Sequence, residues 1–292
     1  MTPVPAATVA PLERSTVTIS TLAIPYGLAR SWLLAPAVDD ERLRAAHNSD
    51  ADVVIIDIED GVPERNKEQA RLITRRWLED DNGWVRINDA TTTHWNEDVS
   101  ALQHSSGLAG IILAKTESPE QVTRTAAGLG GNVPIVALIE SAAGIEAARS
   151  IAAERSVVRL AFGTGDFRRD TGMSDTPTAL AFPRSQLVIA SRVAGIAAPI
   201  DGPTLGENSA DVIAGVGAAT EMGMTGKLCL AESHAATINA ALSPGRDEIS
   251  WALAIIERLG SDGRNIGDGS DLPRLARAQR IVERSRAFDA VR

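Results

Sequence analysis

The chain is poor in sulfur and in aromatic rings. Cys229 is the single cysteine among 292 residues, which excludes an intramolecular disulfide and any cysteine-rich zinc site. A lone thiol fits a reducing compartment. Phe, Trp and Tyr together make up 3% of the chain, and the formal net charge is −9. A protein that tracks a phosphate backbone needs a basic face, and one that grips single strands needs stacking rings. With both missing overall, no nucleic acid partner is expected, although a local basic pocket for one small anion is compatible with this balance. No apolar run reaches the ~18 residues of a transmembrane helix, so no membrane span is expected. Met1 to Leu28 is rich in Ala, Pro and Thr and has no basic stretch ahead of a compact apolar core, so no signal peptide is expected. Residues 1–29 read as a mobile tail with a short strand over Thr16 to Ile24, and the protein as cytoplasmic.

What is present is an ordinary globular mixture, 44% hydrophobic and 23% charged. The length suits two average domains or one large α/β barrel. From Ser31 onward, short apolar runs alternate with amphipathic stretches. The runs are 31–37, 53–60, 83–88, 110–115, 134–141, 158–166, 198–203 and 225–230. Helical patterns fill 39–46, 64–79, 97–104, 119–127, 142–153, 183–194, 209–222 and 233–242. Ser118-Pro119 is the clearest start signal, a cap followed by Pro at the first helical position. Apolar runs without strict alternation are what a parallel sheet covered on both faces requires. The expected fold is therefore a (β/α)8 TIM barrel over residues 30–242. An open doubly wound sheet is the alternative, weakened by the lack of a GxGxxG at the first strand–helix turn. Two further helical patterns, 246–259 and 272–288, flank a Gly/Asp-rich joint over 260–271. This extension, residues 243–292, is not needed to close a barrel and reads as a lid.

In such a barrel the functional face lies at the C-terminal ends of the strands. Those ends carry Asp57, Glu59 and Asp60, then Arg86 and Asn88, Lys115, Glu140, Asp166, Asp201 and Lys227. Charges at buried strand ends are costly unless paired or metal-bound. A salt-bridge network with Arg86 or Lys115 accounts for any one of the acids. As a set, the carboxylates outnumber the cations. With no Cys or His at these ends, the surplus oxygens point to a hard cation such as Mg²⁺. Asp201 reads equally as the end of its strand, and Lys227 as the ion-pair partner of any nearby carboxylate. The four histidines show no metal-binding spacing, and neither a GxSxG elbow nor a GxxxxGK[ST] loop occurs.

Several segments in order resemble one family. They are RSWLLAP (30–36), DVVIIDIEDGV (52–62), NKEQAR (66–71), VRIN with Thr93, His94 and Trp95, GIILAKTES (110–118), ALIESAAGI (137–145), FGTGDFRRDTG (162–172), PIDGP (199–203), GMTGK (223–227) and DLP (271–273). The resemblance is to the HpcH/HpaI aldolase and citrate lyase beta-subunit superfamily, in its citryl/malyl-thioester lyase branch, from Arg30 to about Ala287. It implies that Glu140 and Asp166 bind Mg²⁺ and that Asp57 and Glu59 hold the metal's waters. It implies that Arg86 contacts the oxygen of the keto fragment, with Lys115 also binding substrate. It implies that Asp271 is an acid/base acting in a neighbouring subunit, so that the chain forms trimers or multiples of them. The implied substrate is a β-hydroxyacyl-CoA such as citryl-, malyl- or citramalyl-CoA, cleaved to an acyl-CoA and a keto acid. Three positions depart from the family pattern: Ala231 and Glu232 replace a His-Pro pair, Gly165 replaces a Glu, and polar GDGS (267–270) precedes Asp271. These departures keep two other readings open: a CoA-independent class II aldolase of hydroxy-keto acids, and a barrel that binds a metabolite without turnover.

Overall fold

The computed structural model describes residues 24–206 and 208–289. The strand expected over Thr16 to Ile24, and most of the expected tail, lie outside the described residues. Ile24 and Ala29, which are described, are buried.

The expected barrel is present. Strands β1 (Ser31–Pro36), β2 (Val53–Asp57), β3 (Gly83–Ile87), β4 (Leu108–Leu113), β5 (Ile135–Ile139), β6 (Val157–Phe162), β7 (Ile200–Asp201) and β8 (Gly226–Cys229) pair in parallel in sequence order. β1 pairs with both β2 and β8, so the sheet closes on itself. Helices wrap it: α1 (Asp40–His47), α2 (Lys67–Asp80), α3 (Thr93–Leu102), α4 (Pro119–Gly128), α5 (Ala142–Ala152), α6 (Thr164–Thr171), α7 (Ala181–Ala194), α8 (Ser209–Glu221) and α9 (Ser233–Leu242). Two more, α10 (Arg246–Leu259) and α11 (Asp271–Asp289), pack on each other. No helix among the described residues is long and apolar enough to cross a membrane.

The continuous apolar runs conceal a period of two. Trp32, Leu34, Ile55, Trp84, Ile112, Val136, Leu138, Ala161 and Leu228 point into the lumen and form one cluster. Their neighbours Leu33, Ala35, Ile56, Val85, Ile111, Leu113, Ala137, Leu160 and Cys229 point outward under the helices and form another. Both faces of every strand are thus covered, as a parallel sheet requires. Phe288 of α11 joins the lumen cluster, so the extension contributes to the barrel floor although the sheet closes without it.

Two local expectations are corrected. The third helix begins at Thr93, not residue 97, so His94 lies in its first turn, and His104 falls beyond its end at Leu102. β6 stops at Phe162, and Asp166 sits in the first turn of α6, a helix absent from the sequence reading. The expected run over 158–166 carries the strand through Gly163 and Gly165 to Asp166, four residues past its end. α6 is only eight residues long and ends on Gly172, whose φ of 74° is left-handed.

Asp201 and Lys227 serve the fold. Arg184 Nε and Lys227 Nζ reach the two oxygens of Asp201 at 2.8 and 2.9 Å, and Lys227 Nζ also donates to Gly202 O at 2.8 Å. All three charged side chains are buried. Asp201→Ala would leave two buried cations without their counter-charge. It should lose about 3–5 kcal/mol of stability in urea unfolding, the scale for removing one partner of a buried ion pair.

Candidate active site

Asp57 ends β2 and organises the rim. Its Oδ1 accepts from Glu59 N at 2.9 Å and from Arg86 Nε at 2.8 Å. Its Oδ2 accepts from Gly61 N at 3.1 Å and from Arg86 Nη2 at 2.6 Å. Four donors saturate a carboxylate. Asp57 therefore has no lone pair left for a metal's water, contrary to the expectation from the resemblance. It instead fixes the plane of the Arg86 guanidinium. A Cβ at position 61 would overlap Asp57 Oδ2, so only glycine fits the turn beneath it.

Glu59 is nearly as occupied. Its Oε1 accepts from Lys115 Nζ, and its Oε2 accepts from Asp60 N at 2.7 Å and lies 3.3 Å from Arg86 Nη1. Burial pushes its pKa up, and the charges of Arg86 and Lys115 oppose that shift without cancelling it. For Asp60 burial acts the same way, but the Lys115 ammonium, the hydrogen bonds with Glu59 and Lys115 and the Arg86 charge together outweigh it and the pKa falls. Burial disfavours the Arg86 cation, but the charge and hydrogen bonds of Asp57 together with the charges of Glu59 and Glu140 outweigh this, so Arg86 stays firmly charged. Lys115 is likewise held charged against burial, by its hydrogen bond to Glu59.

Lys115 follows β4 with a φ of 49°, the one positive φ outside glycine among the described residues. Such backbone costs on the order of 1–3 kcal/mol, and at functional sites it is retained for what it aims. Here it turns the Lys115 N–H onto Glu140 Oε1 at 2.7 Å while the side chain reaches Glu59 and Asp60 in the turn after β2. Nζ also lies 3.7 Å from Asp166 Oδ2.

Glu140 follows β5 and is 7% exposed. Beyond the Lys115 N–H, its carboxylate has no hydrogen-bond donor among the described residues. A Cβ at position 163 would overlap the Glu140 side chain, so the bare backbone of Gly163 makes its room. Burial pushes the Glu140 pKa up to about 8, with the charges of Glu59 and Asp166 adding to the shift. Asp166 completes the pair, its Oδ1 3.2 Å from Arg169 Nη1.

Arg86, Glu140, Asp166 and Asp60 line one cleft of about 150 Å³, walled by Leu34, Leu138, Leu228 and Pro203. Larger hollows lie elsewhere, such as the one between Arg44, His47 and Trp77 on the outer helices, and hold none of these groups. The rim acids Asp57, Glu59, Asp60, Glu140 and Asp166 outnumber the cations Arg86, Lys115 and Arg169. Among the described residues no three His, Cys, Asp or Glu converge as a ready metal cage. The donor set suits a hard divalent cation held by one or two carboxylates and its own waters, the habit of Mg²⁺. Glu140, short of donors and set beside the charges of Glu59 and Asp166, fits that description.

The structure gathers Asp57, Glu59, Arg86, Lys115, Glu140 and Asp166 at one rim. It does not bring Asp271 there. Asp271 opens α11, where its Oδ2 accepts from Gly267 N at 3.0 Å and its Oδ1 from Arg258 Nη2 at 3.2 Å.

A second layer was missed. Buried Lys67 donates to Ile58 O at 2.9 Å, Glu59 O at 2.7 Å and Asn88 Oδ1 at 2.7 Å. Asn88 in turn donates to Asp98 Oδ2 at 2.6 Å. Burial lowers the Lys67 pKa against the pull of Glu59 and Asp98. Its signal was legible: Lys67 shares the buried face of α2 with Ala70, Thr74 and Leu78, a register that an exposed lysine would not keep.

With this geometry in hand, the chain was compared with known proteins. The sequence profile of the HpcH/HpaI aldolase/citrate lyase family matches residues 30–231. That of the HpcH/HpaI aldolase C-terminal domain matches residues 247–289. The citrate lyase subunit beta-like protein of Deinococcus radiodurans is 27% identical, covering 88% of this chain and 98% of its own. Human mitochondrial citramalyl-CoA lyase is 26% identical, covering 87% of this chain and 84% of its own. The crystal structure of protein CitE from Mycobacterium tuberculosis, in complex with magnesium, acetoacetate and coenzyme A, superposes with a TM-score of 0.74. It is 26% identical, covering 89% of this chain and 99% of its own.

The raised pKa of Glu140 carries a stability consequence in metal-free protein. Between the ordinary glutamate value near 4.5 and about 8, the folded state holds a proton that the unfolded state releases. Stability therefore falls as pH rises through that window. Glu140→Gln should remove this part of the fall. In EDTA it should melt higher than the parent at pH 8.5 and about equally at pH 5. Parallel melting curves at both pH values would mean that Glu140 ionises freely.

Proposed function

The chain belongs to the HpcH/HpaI aldolase/citrate lyase family and is a carbon–carbon lyase; from that premise we propose that it cleaves, or in reverse forms, a β-hydroxyacyl-CoA such as citryl-, malyl- or citramalyl-CoA. The products are an acyl-CoA and a keto acid. The observation that carries this reading is the orientation of Arg86. Its guanidinium is clamped bidentately by Asp57 and lines the same cleft as Glu140 and Asp166.

In this reading Glu140 and Asp166 hold Mg²⁺. When bound, the ion supplies Lewis-acid stabilisation to the carboxylate and hydroxyl oxygen of the 2-hydroxy acid end. Arg86 adds a fixed positive charge at the oxygen that becomes the keto group. Asp57 keeps that guanidinium in one plane, so little reorganisation is needed when charge develops. Glu59 bridges Arg86 and Lys115, and Lys115 offers a charge to a substrate carboxylate. In cleavage the hydroxyl proton leaves to a base at the rim, and the carbon–carbon electron pair passes to the thioester fragment as an enolate. That enolate carbon must then take a proton from an acid.

Asp271 of an adjacent subunit is the proposed acid. Within one chain, α11 runs from Asp271 to Phe288 in the barrel floor. At 1.5 Å per residue the helix holds the two about 26 Å apart. Asp271 is thus anchored at the far end of a rod that starts at the floor, which suits delivery to another barrel in a trimer or a multiple of it.

A CoA-independent aldolase of hydroxy-keto acids is the second reading, favoured by the small cleft and by Ala231 and Glu232 in place of His-Pro. Turnover of citramalyl-CoA against free citramalate separates the two readings. EDTA should abolish cleavage and Mg²⁺ should restore it; full activity without metal defeats the mechanism.

Arg86→Lys keeps the charge but cannot fill the Asp57 clamp and face substrate together. It should lose about 10²-fold or more in turnover, the scale for one oxyanion donor. A near-normal rate would leave Arg86 a structural role only. Mixing Asp271→Asn with Arg86→Ala subunits should restore part of the activity, because some sites then receive both intact groups. Mixed oligomers as dead as either parent, with exchange verified, would confine Asp271 to its own chain.

A further inference from the structure

A second charged cavity lies at the other end of the barrel. Ala198 and Thr225 in its wall lie two residues and one residue ahead of β7 and β8, so it opens at the N-terminal ends of the strands, opposite the acidic rim. Its volume is about 570 Å³, within the ~300–1,000 Å³ of small-ligand sites.

Its charge is inverted relative to the molecule. In a chain of net charge −9, the walls carry Arg192 of α7 and Arg277, Arg280 and Arg284 of α11, against the single carboxylate of Glu248. Glu248 lies 3.9 Å from Arg277. Among the described residues, no carboxylate forms an ion pair with Arg192, Arg280 or Arg284. Arg284 donates only to Leu242 O and leans on the Phe288 ring.

A fifth guanidinium backs the wall. Arg159 is 0% exposed, yet its partners are all neutral: Ala198 O at 2.6 Å, Ala29 O at 2.8 Å, Tyr26 O at 3.0 Å and Thr225 Oγ1 at 2.9 Å. Burial and the nearby Arg284 charge pull its pKa down to about 9. One buried polar group lies in the same wall. Ser191 is 1% exposed and lines the cavity, and its hydroxyl has no hydrogen-bond partner. Native interiors rarely leave such a group unmatched.

We propose that this cavity binds a phosphorylated organic anion of nucleotide size. Guanidiniums recognise phosphoryl oxygens through paired N–H donors in a fixed plane. Arg192, Arg280 and Arg284 supply such donors from two sides. Val188, Ile196 and Ile281 provide an apolar wall for the organic portion.

The test is calorimetric titration of the full chain with inorganic pyrophosphate at constant ionic strength. The expected result is one site per chain, with the same affinity in Arg86→Gln, which alters only the opposite rim. Arg192→Gln with Arg280→Gln should weaken binding by at least about tenfold, the scale for losing charged hydrogen bonds. Both residues are exposed, so the melting temperature should hold. Arg149→Gln with Arg155→Gln removes the same charge elsewhere on the surface and should change nothing. Absence of binding overturns the proposal. So does equal weakening by the control pair, which would mean diffuse attraction. Loss in Arg86→Gln but not in the Arg192/Arg280 variant would overturn it too, by moving the anion to the acidic rim.

Discussion

The two parallel hydrogen bonds between Asp57 and Arg86 are the contact on which the rim depends. Remove the guanidinium, and the carboxylates of Asp57, Glu59 and Glu140 face one another across a space that water enters poorly. Remove Asp57, and the guanidinium is free to rotate into Glu59 and cover the cleft. The clamp exists because position 61 has no Cβ and because Asp57 also takes two backbone N–H groups. Backbone, counter-charge and orientation are therefore set by one saturated carboxylate. What stays unsaturated is Glu140, and the local excess of negative charge gathers around it.

The barrel was legible because its cause is compositional. Strands covered on both faces must be apolar throughout, and eight such runs alternating with amphipathic helices leave few alternatives. The split of those runs between lumen and helix layer was not legible, since both sets are apolar. Residue identity at the rim was also readable: Arg86, Glu140 and Asp166 follow or end their strands and line one cleft, with Lys115 beside it. The division of labour was not. Nothing in the letters of Asp57 and Glu59 says that one oxygen pair is filled by four donors. That depends on where the turn over 58–61 points its N–H groups. Asp166 was misplaced at a strand end because the apolar run of β6 leads straight on to it, and the letter of Gly163 does not say that the strand stops where its bare backbone makes room for Glu140.

Behind the rim, order is imposed twice. Lys67 spends all three of its protons on two carbonyls and Asn88, tying the β2 turn to β3, and Asp98 extends the tie to α3. On the opposite side, the left-handed backbone of Lys115 directs one residue's N–H and ammonium toward different acids. A buried cation and a strained backbone are both costly devices. Each holds the acids at fixed spacing, against their mutual repulsion, before any counter-ion arrives.

The seating of Phe288 in the lumen bears on how the molecule comes to exist. During synthesis the strands emerge in order, and β1 waits for β8 to cover its free edge. The floor waits longer still, for a residue on α11. Over that interval Trp32 and Trp84 belong to a barrel wall with an open seam and no plug. Partly made chains of this kind expose an apolar trough and unpaired strand edges, the surfaces that chaperones hold and that aggregates recruit. Late closure thus makes the nascent chain, more than the finished protein, the vulnerable species.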